Sequence, residues 1–307
     1  MFEHRTPAVA GRFYPRDPAL LDALVGRCTA TERPSRPAHA IIAPHAGYDY
    51  SGAIAGQTWA AIHVPRRIIL LCPNHTGSGA RRAIWPSGRW SIPGGALEID
   101  KELAARLIDR CGLTPDAEAH RAEHGIEVHL PFLYTRRPDA TIVPICLGRH
   151  SLGECMELSA GVAEVLATFD EPILLVASSD MSHYHSADEA RAYDDLAIDR
   201  LLALDPAGLY RLVRARQIHM CGLIPAVIAL QASRLRGADA THLIGCTCPK
   251  RHCGGLRRLR GADATHLIGY SHSGEISGEL QRVIGYAGVV ITANEPRARN
   301  DNLGPNP

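Results

Sequence analysis

Histidine, cysteine and carboxylate residues recur in this chain at turns that close short apolar runs. His45 follows Ile41-Ile42-Ala43-Pro44 and precedes Ala46-Gly47, and His75 follows Ile68-Ile69-Leu70-Leu71-Cys72-Pro73-Asn74 and precedes Thr76-Gly77. Both imidazoles stand just past what reads as a buried strand, with small residues clearing space around them. A third run, Ile173-Leu174-Leu175-Val176-Ala177, ends in Ser178-Ser179-Asp180-Met181-Ser182-His183-Tyr184-His185. In an open α/β sheet, side chains at the carboxyl ends of neighbouring strands converge on one crevice. His45, His75, Asp180 and His183 are therefore expected to share a site. Cys221-Gly222 opens a further amphipathic run with Pro225 in its first turn, where proline is tolerated. A thiol at a helix start has its thiolate stabilised by the dipole, which suits metal ligation or nucleophilic attack; a small apolar cap residue is an equally good reading of Cys221. Two imidazoles and a thiolate are a transition-metal donor set in outline. Asp180 is expected to orient His183, which would act as acid/base or as a further ligand.

Two rival chemistries fit less well. Ser178 and Ser179 suggest a serine hydrolase, but no Gly-x-Ser-x-Gly elbow relieves the turn. His120, Glu123, His124 and Glu127 fall at helical spacing and would line one polar face beside a site, with a solvated face as the alternative. The order Glu-His-x-x-Glu is not the zincin His-Glu-x-x-His.

The elements that must position these groups can be read from periodicity. Residues 39–44, 67–72, 141–147 and 172–177 are Ile/Val/Leu-rich and almost free of charge, as strands buried on both faces are. Helix-period apolar residues occupy 52–62, 101–111, 152–168, 187–204 and 222–235, and two further strands are expected over 265–270 and 283–292. Alternation of this kind predicts a single three-layer α/β/α domain with a mainly parallel or mixed central sheet over residues 1–292. Residues 293–307 are Asn/Pro/Arg-rich and aperiodic, and are expected to be a disordered tail.

Composition excludes several classes. The 307 residues are 46% apolar, ample for a core, and 33 basic against 32 acidic residues leave a net charge of +1, so no global field favours nucleic acid or an anionic membrane. No run approaches the roughly 20 apolar residues of a membrane span. Met1-Phe2-Glu3-His4-Arg5 lacks the basic-then-apolar order of a signal peptide, so a cytoplasmic location is expected. Nine cysteines, several of them inside apolar runs, read as reduced core thiols.

An internal repeat stands apart. Residues 234–245 recur letter for letter as 258–269, the signature of a tandem duplication and not of a solenoid. The spacer contains Cys246, Cys248, His252 and Cys253, but a Cys-x-Cys pair and an adjacent His-Cys pair are poorly spaced for zinc. Residues 246–269 are expected to be a surface insertion. Continuity into Tyr270-Ser271-His272 favours the second copy, 265–269, as the strand, with the first copy's Arg234 to Gly237 ending the preceding helix.

Together, Arg5-Thr6-Pro7-Ala8-Val9-Ala10-Gly11-Arg12-Phe13-Tyr14-Pro15, the Pro-His-Ala-Gly-Tyr-x-Tyr-Ser-Gly run from Pro44 to Gly52, Cys-Pro-Asn-His-Thr-Gly from Cys72 to Gly77, Glu-His-Gly-Ile-Glu-Val-His-Leu-Pro-Phe-Leu from Glu123 to Leu133, and Ser-Ser-Asp-Met-Ser-His-Tyr from Ser178 to Tyr184 resemble the Memo family, whose bacterial and archaeal members are called AmmeMemoRadiSam system protein B. The resemblance runs from Arg5 to about Val290, and residues 246–269 interrupt it. It implies a fold similar to class III extradiol ring-cleavage dioxygenases and a metal held by His45, His75 and Cys221, with Asp180 and His183 as pocket residues. Iron(II) is the metal this implies first, with copper(I) or zinc as alternatives. Those dioxygenases use two histidines and a carboxylate, and a cysteine in the third place changes the electronics, so ring cleavage does not follow from fold. The resemblance further implies an unidentified small-molecule or peptide substrate, and an Ammecr-type protein and a radical SAM enzyme as partners. A redox enzyme and a non-catalytic partner-binding module both remain open at this point.

Overall fold

The computed structural model describes residues 2–244 and 270–293, for residues 240–244 the backbone alone. In chain order its elements are β1 (His4–Arg5), α1 (Pro18–Thr29), β2 (Ala40–Ala43), α2 (Tyr48–Ala60), β3 (Arg67–Pro73), β4 (Arg82–Ile84), β5 (Arg89–Ile92), β6 (Gly95–Ile99), α3 (Lys101–Cys111), β7 (Thr114–Pro115), α4 (Glu118–Arg121) and, after a single 3-10 turn at Glu127–His129, α5 (Leu130–Arg136). There follow β8 (Thr141–Leu147), α6 (Leu152–Leu166), β9 (Ile173–Ser178), β10 (His183–His185), α7 (Ala187–Leu202), α8 (Pro206–Ala215), α9 (Leu223–Leu235), β11 (Ala240–Ile244), β12 (Tyr270–His272), α10 (Gly274–Ser277) and β13 (Val283–Thr292).

The sheet runs β1-β5-β6-β8-β3-β9-β2-β13-β10. Its centre, β8-β3-β9-β2, is parallel, and β13 joins antiparallel at β2. Side chains alternate between the two faces of each strand. Ala40, Ile42, Ile69, Leu71, Val143, Ile145, Leu175 and Ala177 therefore pack into one core with α3, α6, α7, α8 and α9. Ile41, Ile68, Leu70, Cys72, Ile142, Cys146, Leu174 and Val176 pack into a second core with α1, α2 and α5. Apolar residues at successive interior positions of these strands thus require helices on both faces, and the result is the expected three-layer α/β/α domain with a mixed sheet. β2, β3 and β9 lie side by side in one direction, so His45, His75 and the Ser178–His183 segment emerge from the same edge.

Sequence periodicity assigned no helix to 18–29 or 206–215. Pro18 and Pro206 look like breakers, yet each sits in a first turn, and Asp17 and Asp205 cap the two helices by accepting from the backbone N–H groups of Leu20 and Gly208. The short strands β4 to β6 also went unassigned. Over 120–133 the regular helical face is not formed. The chain breaks into α4, a turn, the 3-10 turn and α5, and Glu123 and Glu127 serve different partners, as detailed below.

The repeat also corrects an expectation. The first copy supplies a strand: Ala240–Ile244 pairs antiparallel with β13, Ile244 opposite Gly288. α9 ends at Leu235, and Gly237, at φ +86°, turns the chain directly back onto the sheet. Residues 265–269, the Cys246/Cys248/His252/Cys253 cluster and the tail from 294 lie outside the described residues. Among the described residues every cysteine is free, and no helix is long and apolar enough to cross a membrane.

β12 continues where β11 stops. Tyr270 pairs with Ala287, the β13 neighbour of Gly288, which Ile244 faces. A chain with residue 244 joined directly to residue 270 would therefore run along β13 without a gap in register. Deletion of 245–269 should give a folded protein with a melting temperature within a few degrees of wild type by circular dichroism, because loop-closure cost changes by only about 0.6 kcal/mol per doubling of length. Loss of the cooperative transition would show that these residues belong to the core.

Candidate metal centre

Two hydrogen-bonded pairs decide which nitrogen each histidine presents. His45 Nδ1 lies 2.6 Å from the Ser178 hydroxyl, which also lies 3.0 Å from His129 Nε2 and donates its one proton to the Gly125 carbonyl. A carbonyl can only accept, so Ser178 must accept from both imidazoles. His45 is consequently protonated at Nδ1 and bare at Nε2. His129 fits the same scheme, since its Nδ1 accepts from the Trp59 indole N–H at 3.4 Å. His75 Nδ1 is 2.8 Å from the Glu123 carboxylate, so it too donates and leaves Nε2 bare. Orienting partners of this kind are what metal-bound histidines require.

The two imidazoles meet Cys221. One ligand atom each from His45, His75 and Cys221 lies within 4.8 Å of the others, and Cys221 Sγ is 3.2 Å from His45 Nε2. Donors sharing one tetrahedral ion sit roughly 3.5 Å apart, given bonds of about 2.0 to 2.3 Å. The set is of the right size and chemistry for one ion. His45 is buried, Cys221 half-buried and His75 at the open rim. Glycine is needed beside the cysteine: a Cβ on Gly222 would stand 2.3 Å from the Ser178 carbonyl oxygen and from Ser179 Cβ. Only a residue without a side chain lets the start of α9 approach the end of β9 closely enough to deliver Cys221.

The loop carrying Glu123 is built from afar. Glu123 accepts from the backbone N–H groups of His75 and Gly125 at 2.7 and 2.8 Å. Arg5, from β1, donates to the carbonyls of His120 and Glu123 and to the Glu127 carboxylate, all at 2.7 to 2.8 Å. Glu127 also accepts from the N–H groups of Ala8 and Val9 and from the Tyr14 hydroxyl. The N-terminal Arg-Thr-Pro-Ala-Val motif is thus the clamp on the loop that positions His75. The His124 ring stacks on His75 at 4.7 Å and meets His45 edge-on at 5.3 Å. His75, Glu123 and His124 form a second close group, but His75 Nδ1 is committed to Glu123 there. Glu123, His124 and Ser178 were visible as motif residues; their service to His75 and His45 was not, because it depends on contacts between distant strands.

Asp180 and His183 reach the site in roles other than the one expected. Asp180 does not orient His183. Its Oδ1 accepts the His45 backbone N–H at 2.8 Å, and its own N–H points at Cys221 Sγ at 3.3 Å. His183 is held at Nδ1 by the carbonyls of Met181 and His219, at 2.9 and 2.8 Å, so its Nε2 is bare as well. A bulge between His183 and His185, with Tyr184 at φ +66° and exposed, re-aims the strand at this point.

Burial governs the charges. It drives His45 well below the ordinary histidine value, with help from the neighbouring His75, His124, His129 and His183, and it pushes His124 down to about 4. Burial raises Cys221 well above the usual thiol range, with the nearby Asp180 adding to it. Desolvation thus opposes the thiolate that the helix dipole would favour, and Cys221 Sγ faces the His45 Nε2. Asp180 is raised by burial against the opposing His45 N–H, whereas in Glu123 the His75 and Gly125 donors outweigh burial and hold the carboxyl low.

The fold and these donors define an α/β protein with a His/His/Cys centre fit for one transition-metal ion. The Memo-like protein family matches residues 5–290, and the chain belongs to that family. It is 34% identical to a MEMO1 family protein of Methanopyrus kandleri, over 94% of this chain and 98% of that one, and 35% identical to a MEMO1 family protein of Aquifex aeolicus with the same coverages. A MEMO1 family protein of Methanothermobacter thermautotrophicus is 33% identical over 92% of this chain and 98% of its own. An uncharacterized Escherichia coli protein of known crystal structure aligns with a TM-score of 0.43 at 16% identity, covering 63% of this chain and 88% of that one.

Replacing Ser178 by Ala should free His45 to take either tautomer and leave two buried imidazole N–H groups unpaired. Metal affinity measured against a chelator should fall about 10- to 100-fold, with stability lowered by about 1 to 3 kcal/mol. His45→Ala should abolish binding, and equal affinity in Ser178→Ala and wild type would remove the serine from the scheme.

Acid sensitivity follows from His120 and His129, both fully buried and pushed down to about 3, by desolvation alone in His129 and with the Arg5 charge adding in His120. Between pH 6.5 and about 3 the unfolded chain binds protons that the folded chain refuses, so stability is complete above pH 6.5 and falls as pH drops. At pH 5 each residue costs on the order of 2 kcal/mol, together a large share of a stability of roughly 5 to 15. Urea titrations between pH 7 and 5 should show this decline, and His120→Phe, whose ring would sit between Trp85 and Trp90, should make it shallower. A pH-independent midpoint would contradict the assignment.

Proposed function

We propose that the chain is a mononuclear metal protein in which His45 Nε2, His75 Nε2 and Cys221 Sγ hold iron(II), with copper(I) or zinc as competing ions, and that it acts on a small substrate brought beside that ion. The observation that carries the reading is the convergence of one ligand atom each from His45, His75 and Cys221 within 4.8 Å, with Ser178 and Glu123 occupying the Nδ1 atoms of the two imidazoles. Bound iron would supply open coordination positions and one-electron chemistry beside a soft anionic donor. The chain's own residues bind and orient. Asp180 locks the backbone of His45. His183, with its bare Nε2 and its Nδ1 proton shared between two carbonyls, is placed to accept a proton.

A second reading keeps the metal and drops the turnover, making the centre a recognition site for a peptide or protein such as an Ammecr-type or radical SAM partner. One observation favours it: Asp180, whose N–H faces Cys221, spends its Oδ1 on the backbone N–H of His45, a structural use of the carboxylate. Oxygen uptake by iron-loaded protein with candidate substrates separates the two.

The metal assignment is tested by anaerobic iron(II) loading, desalting and metal analysis of wild type, Cys221→Ser and His75→Ala, each checked for equal folding. One equivalent in wild type, little in either variant, and loss of a thiolate-to-metal charge-transfer band from the cobalt(II)-substituted Cys221→Ser protein are expected. Unchanged stoichiometry and affinity in Cys221→Ser would remove the cysteine from the donor set.

A further inference from the structure

A pocket of about 540 Å³ opens beside Cys221, walled by the segments after β3 and β8, by the last turn of α8 and by the approach to α9. Cys221 and Asn74, the neighbour of His75, both line it, so one end of the pocket touches two of the three metal-donor segments. Its remaining wall is apolar where Val213, Ile218, Met220 and Leu223 contribute. Its electrostatics are one-sided. No aspartate or glutamate lines it, whereas Arg149 and Arg214 do, and neither guanidinium has a carboxylate partner among the described residues. Arg81 and Arg110, by contrast, are paired with Glu154 and Glu164. His150 adds no charge, since its Nδ1 bonds the Gly148 carbonyl, its Nε2 faces the Arg82 N–H and burial lowers its pKa. The C-terminus of α8 and the N-terminus of α9 both abut the pocket, so their dipoles oppose each other and the two guanidiniums set the sign. His219, also in the lining, holds His183 through its carbonyl and couples the pocket to that residue.

We propose that this pocket takes an anionic small molecule with an apolar body, a carboxylate or a phosphate monoester, whose acidic group meets Arg149 and Arg214 and whose other end reaches Cys221. This names the substrate class of the centre and rests on the reading of His45, His75 and Cys221 as its reactive end. A site with two unpaired guanidiniums favours a bidentate anion, and an apolar wall favours a hydrocarbon or aromatic body over a free inorganic ion. A neutral analogue leaves those guanidiniums without their partner and loses the charge-assisted bonds.

Three probes of similar size distinguish the sources: 3-phenylpropanoate, phenyl phosphate and neutral 3-phenylpropan-1-ol, titrated calorimetrically into the metal-loaded protein. Saturable binding of at least one acid, about tenfold or more tighter than the alcohol, is expected, and whichever acid binds better identifies the headgroup. Arg149→Gln/Arg214→Gln, two exposed positions whose replacement leaves the fold intact, should lower that affinity by about tenfold or more. His45→Ala/His75→Ala should retain it, because the anion contacts lie outside the donor set. In cobalt(II)-substituted wild type the bound acid should shift the visible spectrum. Equal binding of acid and alcohol, absence of saturable acid binding, or full affinity in the double arginine variant would overturn the anion site. Acid binding that leaves the cobalt spectrum unmoved would overturn its assignment as the substrate end of the centre. A protein that takes up no cobalt would defeat the metal reading, while the calorimetric arms still decide the pocket.

Discussion

One hydroxyl proton fixes the centre. Ser178 gives it to a backbone carbonyl, and that single commitment obliges His45 and His129 to donate and leaves His45 Nε2 as a lone pair. The same contacts tie the end of β9 to the end of β2 and to the loop at Gly125. Glu123 does the equivalent for His75 with a charge in place of a hydroxyl. The geometry of His45, His75 and Cys221 is thus set by groups outside that set, and the strands beneath serve to bring those groups to one edge.

Burial then sets the terms for charge. Imidazoles crowded in low dielectric stay neutral, and the Cys221 thiol keeps its proton more firmly than an exposed one would. Neutral imidazole suits ligation; a retained thiol proton opposes it. A cation bound there would have to displace that proton, a demand that ions with a strong preference for sulfur meet better than hard, oxygen-seeking ones such as magnesium.

Much of this is legible in the amino-acid sequence alone. The four central strands and β13 announce themselves as uncharged apolar runs, and His45, His75, Asp180, His183 and Cys221 stand at their ends or at a helix start, where topology makes them converge. What was hidden shares one cause: it depends on contacts between segments far apart in sequence. The helical spacing of His120 to Glu127 is real, but Glu123 and Glu127 find backbone N–H groups on His75, Ala8 and Val9, and these outweigh helix propensity. Asp180 was paired with His183 by proximity in sequence, whereas the sheet places it beside the backbone of His45. The identical repeats cannot be ranked by sequence; the tight turn at Gly237 delivers the first copy to β13, where the sequence reading has it only end the preceding helix. Helices α1 and α8 were masked by prolines that start them.

The clamp between Arg5 and Glu127 joins residues 122 positions apart, and this has a bearing on the order of folding. Contacts of such separation carry a large chain-entropy cost and form late. The loop that orients His75 stays loose until the chain's first strand docks against it. A nascent chain that ends before β9 also lacks Ser178 and Asp180, which reach His45 over 133 and 135 positions, and Cys221 beyond them. The donor cluster would be among the last parts of the domain to mature, which keeps a partly folded chain from presenting a finished set of soft ligands.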